Sequence, residues 1–565
     1  MGDEDEVNIY DGILPCQGRQ GGMYPQVDIS IWLRSCTGDQ PETAGQLTGN
    51  IPTWLSGSLI QNGPGKFSFG SDVFKHLFDG SAVLQKFTIA NGNVHYSCKF
   101  VKTKALQKNQ KAEKIVIPEF GTTVSKPWWE RVKLSRSNVM SDNTMITVYP
   151  FDGSLYTFYE SPFIYSIDPH TLNTGKREDL GKLGMISHAS HVHFDKQGNM
   201  ITLGMKLSAR GPVYAVTSFS RETASAAALE INPTVSASKK ATTGPKTSLA
   251  CRGTELYRVP CRRMFNPGYM HSFATTPRFT VLIEQPLTVS VKKMVSALIR
   301  NRPVASTLQW QGTSNVVFHL IDKVTGKKHP IKYTSAAFFY LHTINAYEDG
   351  DHVVVDICSY DSPAMMDCMF ISELQFAQSN PAYANLFKGR PKRYILPLKI
   401  NPDRQNQVDL PYTKARANIV KTSALNIVPQ VICDDGCETP AINYSQFNGK
   451  PYQFFYAITS DVDAENAGKL LKVNAKTGEV LTWCQPNTYC SEPVFVPRPD
   501  AKSEDDGVLI TSVIRGKPEV RYSGLVVLNA EDLVELGRVE FELPGPVPKP
   551  LHGCFLPSWD YNPVY

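Results

Sequence analysis

Short apolar runs, each broken by a polar turn and followed by a second apolar run, recur along the whole chain. They include VLQKFTIANGNVHYSCKF, SPFIYSIDPHTLNTGKRE, HVHFDKQGNMITLG, VVFHLIDKVTGKKHPIKYT, LLKVNAKTGEVLTW and GLVVLNAEDLVELGRVEF. Each reads as a β-hairpin. Three share a loose turn pattern, SIDPHTLNTG, LIDKVTGK and KVNAKTGEV, a weak internal repetition without a strict period. Thirty-nine glycines and thirty-nine prolines suit a turn-rich, all-β chain. The weak turn repetition suits the blades of a β-propeller, whose inner strands all point at a central axis. Propellers run to 565 residues as one body, so one domain over 1–565 is expected. It would carry an N-terminal extension over about 1–25 and a mobile insertion over about 223–250, rich in Ala, Ser, Thr and Lys.

Four histidines in distinctive contexts fit that architecture: His191 in SHVHFDKQG, His271 in PGYMHSF, His342 in LHTINAYE and His552 in PLHGCF. They are separated by 80, 71 and 210 residues, too far for a helical HExxH pair or a finger-type zinc loop. A common site would have to be assembled by tertiary structure. Four neutral imidazoles without a carboxylate or thiolate ligand suit a redox iron. Spacing alone leaves open that each histidine is satisfied separately, in the core or at the surface.

The remaining signals narrow the class. A net charge of +5 on this length does not point to nucleic acid, and no basic stripe interleaved with aromatics is present. The start MGDEDEV has neither the basic nor the apolar region of a secretory signal, and Glu6 breaks the myristoylation pattern. Twelve cysteines without a CxxC pair read as reduced thiols, which together with the start predicts a cytoplasmic protein. No stretch approaches the roughly 20 apolar residues of a membrane-spanning helix.

Two segments predict contact with a membrane surface instead. Val291, Met294, Val295, Leu298 and Ile299 fall on one face of a helix over Val291 to Arg300, beside Lys292, Lys293, Arg300 and Arg302. Trp128 and Trp129 stand among Lys126, Arg131, Lys133 and Arg136, and tryptophan favours the water–lipid interface. Core packing is the other reading of both segments.

The histidine contexts resemble those of the carotenoid cleavage oxygenase family, from GSLIQNGPGKF through HLFDG (His76 to Gly80) to PLHGCF. The stretches ETPAINYSQFNGKPY and SEPVFVPRPDAKSEDDGVL are similar to the animal branch. The opening region VDISIWLRSCTGDQPETAGQLTGNIPTWLSGSL is similar to the insect isomerooxygenase type. The resemblance implies a seven-bladed propeller with a helical cap over one face, and a ferrous ion on the axis held by His191, His271, His342 and His552. Glu160 in FYESPF, Glu438 in CETPAINY and Glu492 in SEPVF would hold the outer ring nitrogens, leaving His191 without a carboxylate partner. His193 shares a strand face with His191 and competes with it. His188 and His193 are otherwise read as pocket or structural residues. Vertebrate relatives carry a PDPCK segment after FGT, whereas here FGT is followed by TVSKPWWERVK, so a cysteine-based lipid anchor is not expected.

The implied chemistry is iron(II)-dependent addition of dioxygen to a central double bond of a carotenoid, giving C20 retinoid aldehydes with trans-to-cis isomerisation of one half. Phe120, Tyr159 and Tyr269 are candidates for substrate contact, each of which can equally be core. Eccentric cleavage, retinyl ester isomerohydrolysis and a non-catalytic carotenoid or retinoid carrier are the alternatives. The expected partners are a carotenoid, dioxygen and a membrane surface; the expected location is cytoplasmic and peripheral to the membrane.

Overall fold

All six hairpins read from the sequence form. In the first, Ala82–Ala90 and Asn93–Phe100 are joined by Asn91 and Gly92 at φ 50° and 74°, the left-handed pair that a tight two-residue turn requires. The computed structural model describes residues 27–125, 141–222, 247–377, 380, 382–464 and 468–558. The 1–25 extension, Trp128, Trp129 and positions 223–246 of the expected insertion lie outside the described residues.

Seven sheets of four or more strands stand around one axis as the blades of a β-propeller. Their axial strands are, for blades one to seven, His552–Pro557, Thr147–Phe151, the pair Met185–His188 and His193–Phe194, then Ala274–Thr275, Phe339–Asp349, Glu438–Ala441 and Val494–Pro497. The chain closes its own ring. Gly57–Pro64 of blade one pairs antiparallel with the C-terminal His552–Pro557, from Gly57 opposite Pro557 to Asn62 opposite His552. A preceding strand, Gln46–Gly49, adds to Glu535–Glu542 of blade seven. This pairing fastens the two ends of the chain within one sheet and so holds the ring shut.

The core lies between neighbouring blades. Blades four to six share the largest apolar cluster, in which Val353, Val354 and Val355 are wholly buried in a strand covered on both faces. Asp356 on the same strand pairs with Arg393 through two bonds of 2.9 and 2.7 Å, so its buried charge is matched. Helices are few. Lys104–Ala112, capped by Thr103 Oγ1 accepting from Leu106 N, was not read from the sequence, because its apolar face is only Ala105 and Leu106. Val291–Arg300 forms where its periodicity predicts it, between the N-cap Ser290 and Asn301 at φ 55°.

The cover over one end of the axis consists of loops and short helices. Ala364–Asp367, Ile371–Phe376 and Tyr383–Leu386 interrupt blade five, and Met365 and Met366 pack with Phe78, Phe120, Leu287 and Tyr269. His76 fastens this cover: its ring sits against Phe78, Phe120 and Phe370, and its Nε2 bonds the carbonyl of Met366 at 3.0 Å.

Candidate metal centre

The propeller brings His191, His271, His342 and His552 together, their nearest ring nitrogens all within 4.8 Å of one another. His552 opens the axial strand of blade one, and His342 lies in that of blade five. His191 and His271 stand in the turns beside the axial strands of blades three and four. His342 lies within a register shift between Tyr340 and Thr343, and a second shift follows between Thr343 and Asn345. Such bulges break the strict alternation of a strand and re-aim individual side chains.

Each imidazole is gripped from outside. His271 Nδ1 donates to Glu160 Oε1, His342 Nδ1 to Glu438 Oε2, and His552 Nδ1 to Glu492 Oε1 at 2.8 Å. These bonds fix the tautomer and turn each Nε2 inward. His342 Nε2 is buried without a protein partner, and His191 Nε2 faces His271 Nε2 at 3.2 Å. With His271 Nδ1 donating to Glu160 and His342 Nδ1 to Glu438, both Nε2 lone pairs turn to the common point, and nitrogens gathered within 4.8 Å surround a place that one metal ion fits. Burial, with the other three imidazoles close by, pushes the His191 ring well below its ordinary pKa. Neutral rings are the form that binds metal.

The glutamates come from the blades that supply no histidine. Glu160 lies in a turn of blade two, Glu438 opens the axial strand of blade six, and Glu492 precedes that of blade seven. Burial would raise the Glu438 carboxyl, but the bonds from His342 and from Thr439 N at 2.9 Å outweigh it and hold the pKa below its usual value. Thr439 itself stands at φ 47°, a left-handed conformation that a β-branched residue adopts only under constraint, typically at a cost of about 1–3 kcal/mol. Glu492 also accepts from Gly553 N at 2.8 Å, tying blade seven to blade one beside His552.

His193 stays outside the cluster: Nδ1 pairs with the Tyr444 hydroxyl and Nε2 with the Phe273 carbonyl, each at 2.8 Å. His188 is buried against Phe158 with Nδ1 on the carbonyl of Ala189. Tyr269 donates to Glu160 at 2.6 Å and shares an apolar cluster with Phe120; Tyr159 packs in the adjoining cluster, with Phe78 common to both. His191 is held by a residue that the sequence reading missed, Tyr149, whose hydroxyl lies 3.0 Å from His191 Nδ1. Its only sequence signal is alternation: Thr147, Tyr149 and Phe151 share one face of their strand.

The two sides of the centre differ. Phe339 and Leu341, just before His342, join the apolar cluster under the cover. Past the histidines, a cavity of about 120 Å³ is lined by Tyr149, Thr343, Asn345 and Tyr444. It shares His193, Tyr444 and Asn448 with a cavity of about 880 Å³ at the opposite end of the axial strands.

A family model described as RPE65, retinal pigment epithelial membrane protein, matches residues 33–557. The chain belongs to the RPE65 and carotenoid oxygenase family. It is 38% identical to the carotenoid isomerooxygenase of Drosophila melanogaster, over 95% of this chain and 94% of that protein. Against the carotenoid isomerooxygenase of Galleria mellonella it is 39% identical, over 95% and 98%. The β,β-carotene 15,15'-dioxygenase of Gallus gallus is 32% identical, over 91% and 95%. The solved structure of a Synechocystis apocarotenoid oxygenase variant aligns with a TM-score of 0.72 at 21% identity, over 94% of this chain and 100% of that one, and shows the same fold. This family member is thus an oxygenase with a four-histidine site suited to metal.

Proposed function

We propose that the chain is an iron(II) carotenoid isomerooxygenase, cleaving a carotenoid at a central double bond into two C20 aldehydes and isomerising one half from trans to cis. The observation that carries this reading is the convergence of four glutamate- or tyrosine-supported histidines near the propeller axis, beside an apolar cluster. The likeness to insect isomerooxygenases supports the subtype. His191, His271, His342 and His552 would hold iron, with Glu160, Glu438 and Glu492 orienting their rings. Bound ferrous ion supplies activation of dioxygen and, with four ligands from the chain, keeps room for further ones.

The chain's own residues do the rest. Phe120 and Tyr269 line the apolar approach on which a polyene without polar handles would be positioned by shape. Because Tyr269 donates its proton to Glu160, its hydroxyl is held away from acid–base work, and its ring face remains to stabilise a developing positive charge during isomerisation. Tyr159 is assigned to the same wall.

Peripheral membrane contact belongs to this reading. Among the described residues no helix is long and apolar enough to cross a bilayer. Along Val291–Arg300, Val291, Val295 and Ile299 are 39%, 54% and 62% exposed, while Met294 and Leu298 are half-buried. Met264 and Phe265 are exposed beside them, and Val291 N donates to Phe265 O. An apolar group of this kind fits a lipid surface from which the substrate is drawn. Trp128 and Trp129 are proposed to join it.

The test is to load the protein anaerobically with iron, supply all-trans β-carotene or zeaxanthin in detergent with oxygen, and resolve products by chain length and geometry. One 11-cis and one all-trans C20 aldehyde per substrate are expected. Two all-trans C20 aldehydes would remove the isomerase and keep the oxygenase; unequal fragments would mean eccentric cleavage. Absence of any oxygen-dependent product from iron-loaded protein would overturn the reading in favour of ester hydrolysis or a carrier.

A further inference from the structure

Three of the four converging histidines donate to a carboxylate, and the fourth does not. The His191 ring meets all three others, with centroids 4.9, 4.9 and 4.7 Å from those of His271, His342 and His552, as the His342 ring does too. Its outer nitrogen meets the Tyr149 hydroxyl at 3.0 Å, on the axial strand of blade two.

We infer that Tyr149 is a positioning residue for the metal centre, the neutral counterpart of the three glutamates, and that it makes His191 the weakest of the four donors. This rests on the four-histidine metal reading above. With Nε2 turned to the common point, Nδ1 carries the ring proton and donates it to the phenol oxygen, fixing tautomer and ring angle. The Tyr149 side chain is partly buried and borders the cavity past the histidines. A tyrosine phenol, with an ordinary pKa of about 10, is uncharged at neutral pH. A neutral phenol accepts more weakly than a carboxylate and lends less basicity to the ring it holds. It also adds no fourth negative charge around a dication already faced by Glu160, Glu438 and Glu492.

The test uses the full chain stripped of metal and titrated with Co(II), whose ligand-field absorption reports the donor set. Wild type should take up one ion per chain. Tyr149→Phe should bind on the order of tenfold more weakly with shifted absorption bands, and Glu438→Gln should lose more. In a His191→Ala background, Tyr149→Phe should change neither affinity nor spectrum further, because its effect passes through that ring. A merely structural loss would persist there, and circular dichroism checks that the variants fold. If wild type binds Co(II) while Tyr149→Phe matches it in affinity and spectrum, or if its effect persists without His191, the role of Tyr149 is overturned and the metal reading stands. If Tyr149→Phe costs more than Glu438→Gln, the assignment of His191 as weakest donor is wrong. Failure of wild type to bind one ion per chain would defeat the underlying reading instead.

Discussion

His76 uses both ring nitrogens in one tautomer: Nε2–H donates to Met366 O, and Nδ1 accepts from Phe78 N, each at 3.0 Å. An imidazolium cannot accept, so protonation breaks the second bond while placing charge in an aromatic cage. Burial accordingly pushes its pKa down to about 4 from 6.5, despite the opposing bond to Met366. The unfolded chain therefore binds a proton here near pH 6.5 that the folded chain takes up only near pH 4. Stability contributed at this residue falls as pH drops through that window and levels off below it. Urea unfolding at pH 7.5 and pH 5 should show His76→Asn less stable than wild type at the higher pH, but losing less on acidification. Equal acid losses in the two proteins would refute the assignment. At the metal centre the histidines and glutamates were legible because each lies in a distinctive motif, whereas Tyr149 lies in an ordinary alternating strand, VYPF, that carries no such mark.

The pairing of Gly57–Pro64 with His552–Pro557 both closes the ring and delivers a metal-site histidine. Gly553 sits close against the paired strand: a Cβ there would lie 2.6 Å from Ile60 O and 2.7 Å from Gln61 Cγ. The carbonyl belongs to the paired strand and cannot yield without breaking register. Gly553→Ala should therefore destabilise the fold by about 1–3 kcal/mol and weaken metal retention, because His552 moves with the strand. A melting curve together with metal content after dialysis checks both effects; full retention with a lowered Tm would separate closure from the site. The hairpins were readable from turn chemistry, as at Asn91 and Gly92. The bulges that aim His342 were not, since no residue type marks them and they arise from fitting an axial strand between its neighbours.

Across the whole molecule the two ends of the axis differ: an apolar cluster lies under the cover, and beyond the histidines a cavity of about 880 Å³ mixes charged residues such as Asp195 and Lys323 with apolar ones such as Phe151 and Phe194. On the proposed reading, the apolar cluster under the cover is the side that suits a lipophilic substrate. Val295→Asp combined with Ile299→Asp places two charges on the exposed face of Val291–Arg300, each more than half exposed, so folding should be little affected. Co-sedimentation with phospholipid vesicles should fall several-fold, while turnover of detergent-dispersed carotenoid stays close to wild type. Unchanged sedimentation would remove this helix from the membrane contact. The periodicity placed the helix correctly but left its facing open. In the fold it divides its apolar residues, with Ala297 buried and Val291, Val295 and Ile299 turned outward.

Local chemistry alone determined the hairpins, the one well-patterned helix and the identity of the residues suited to metal, because turn preference, periodicity and imidazole basicity are properties of short segments. Tertiary structure decided that the 80-, 71- and 210-residue separations collapse to within 4.8 Å. It also decided between His191 and His193, two residues apart in sequence and separated by what surrounds them: three imidazoles for the first, Tyr444 and a backbone carbonyl for the second. Ring closure about a common axis is a global constraint, and it alone sets which side chains from seven separate sheets meet.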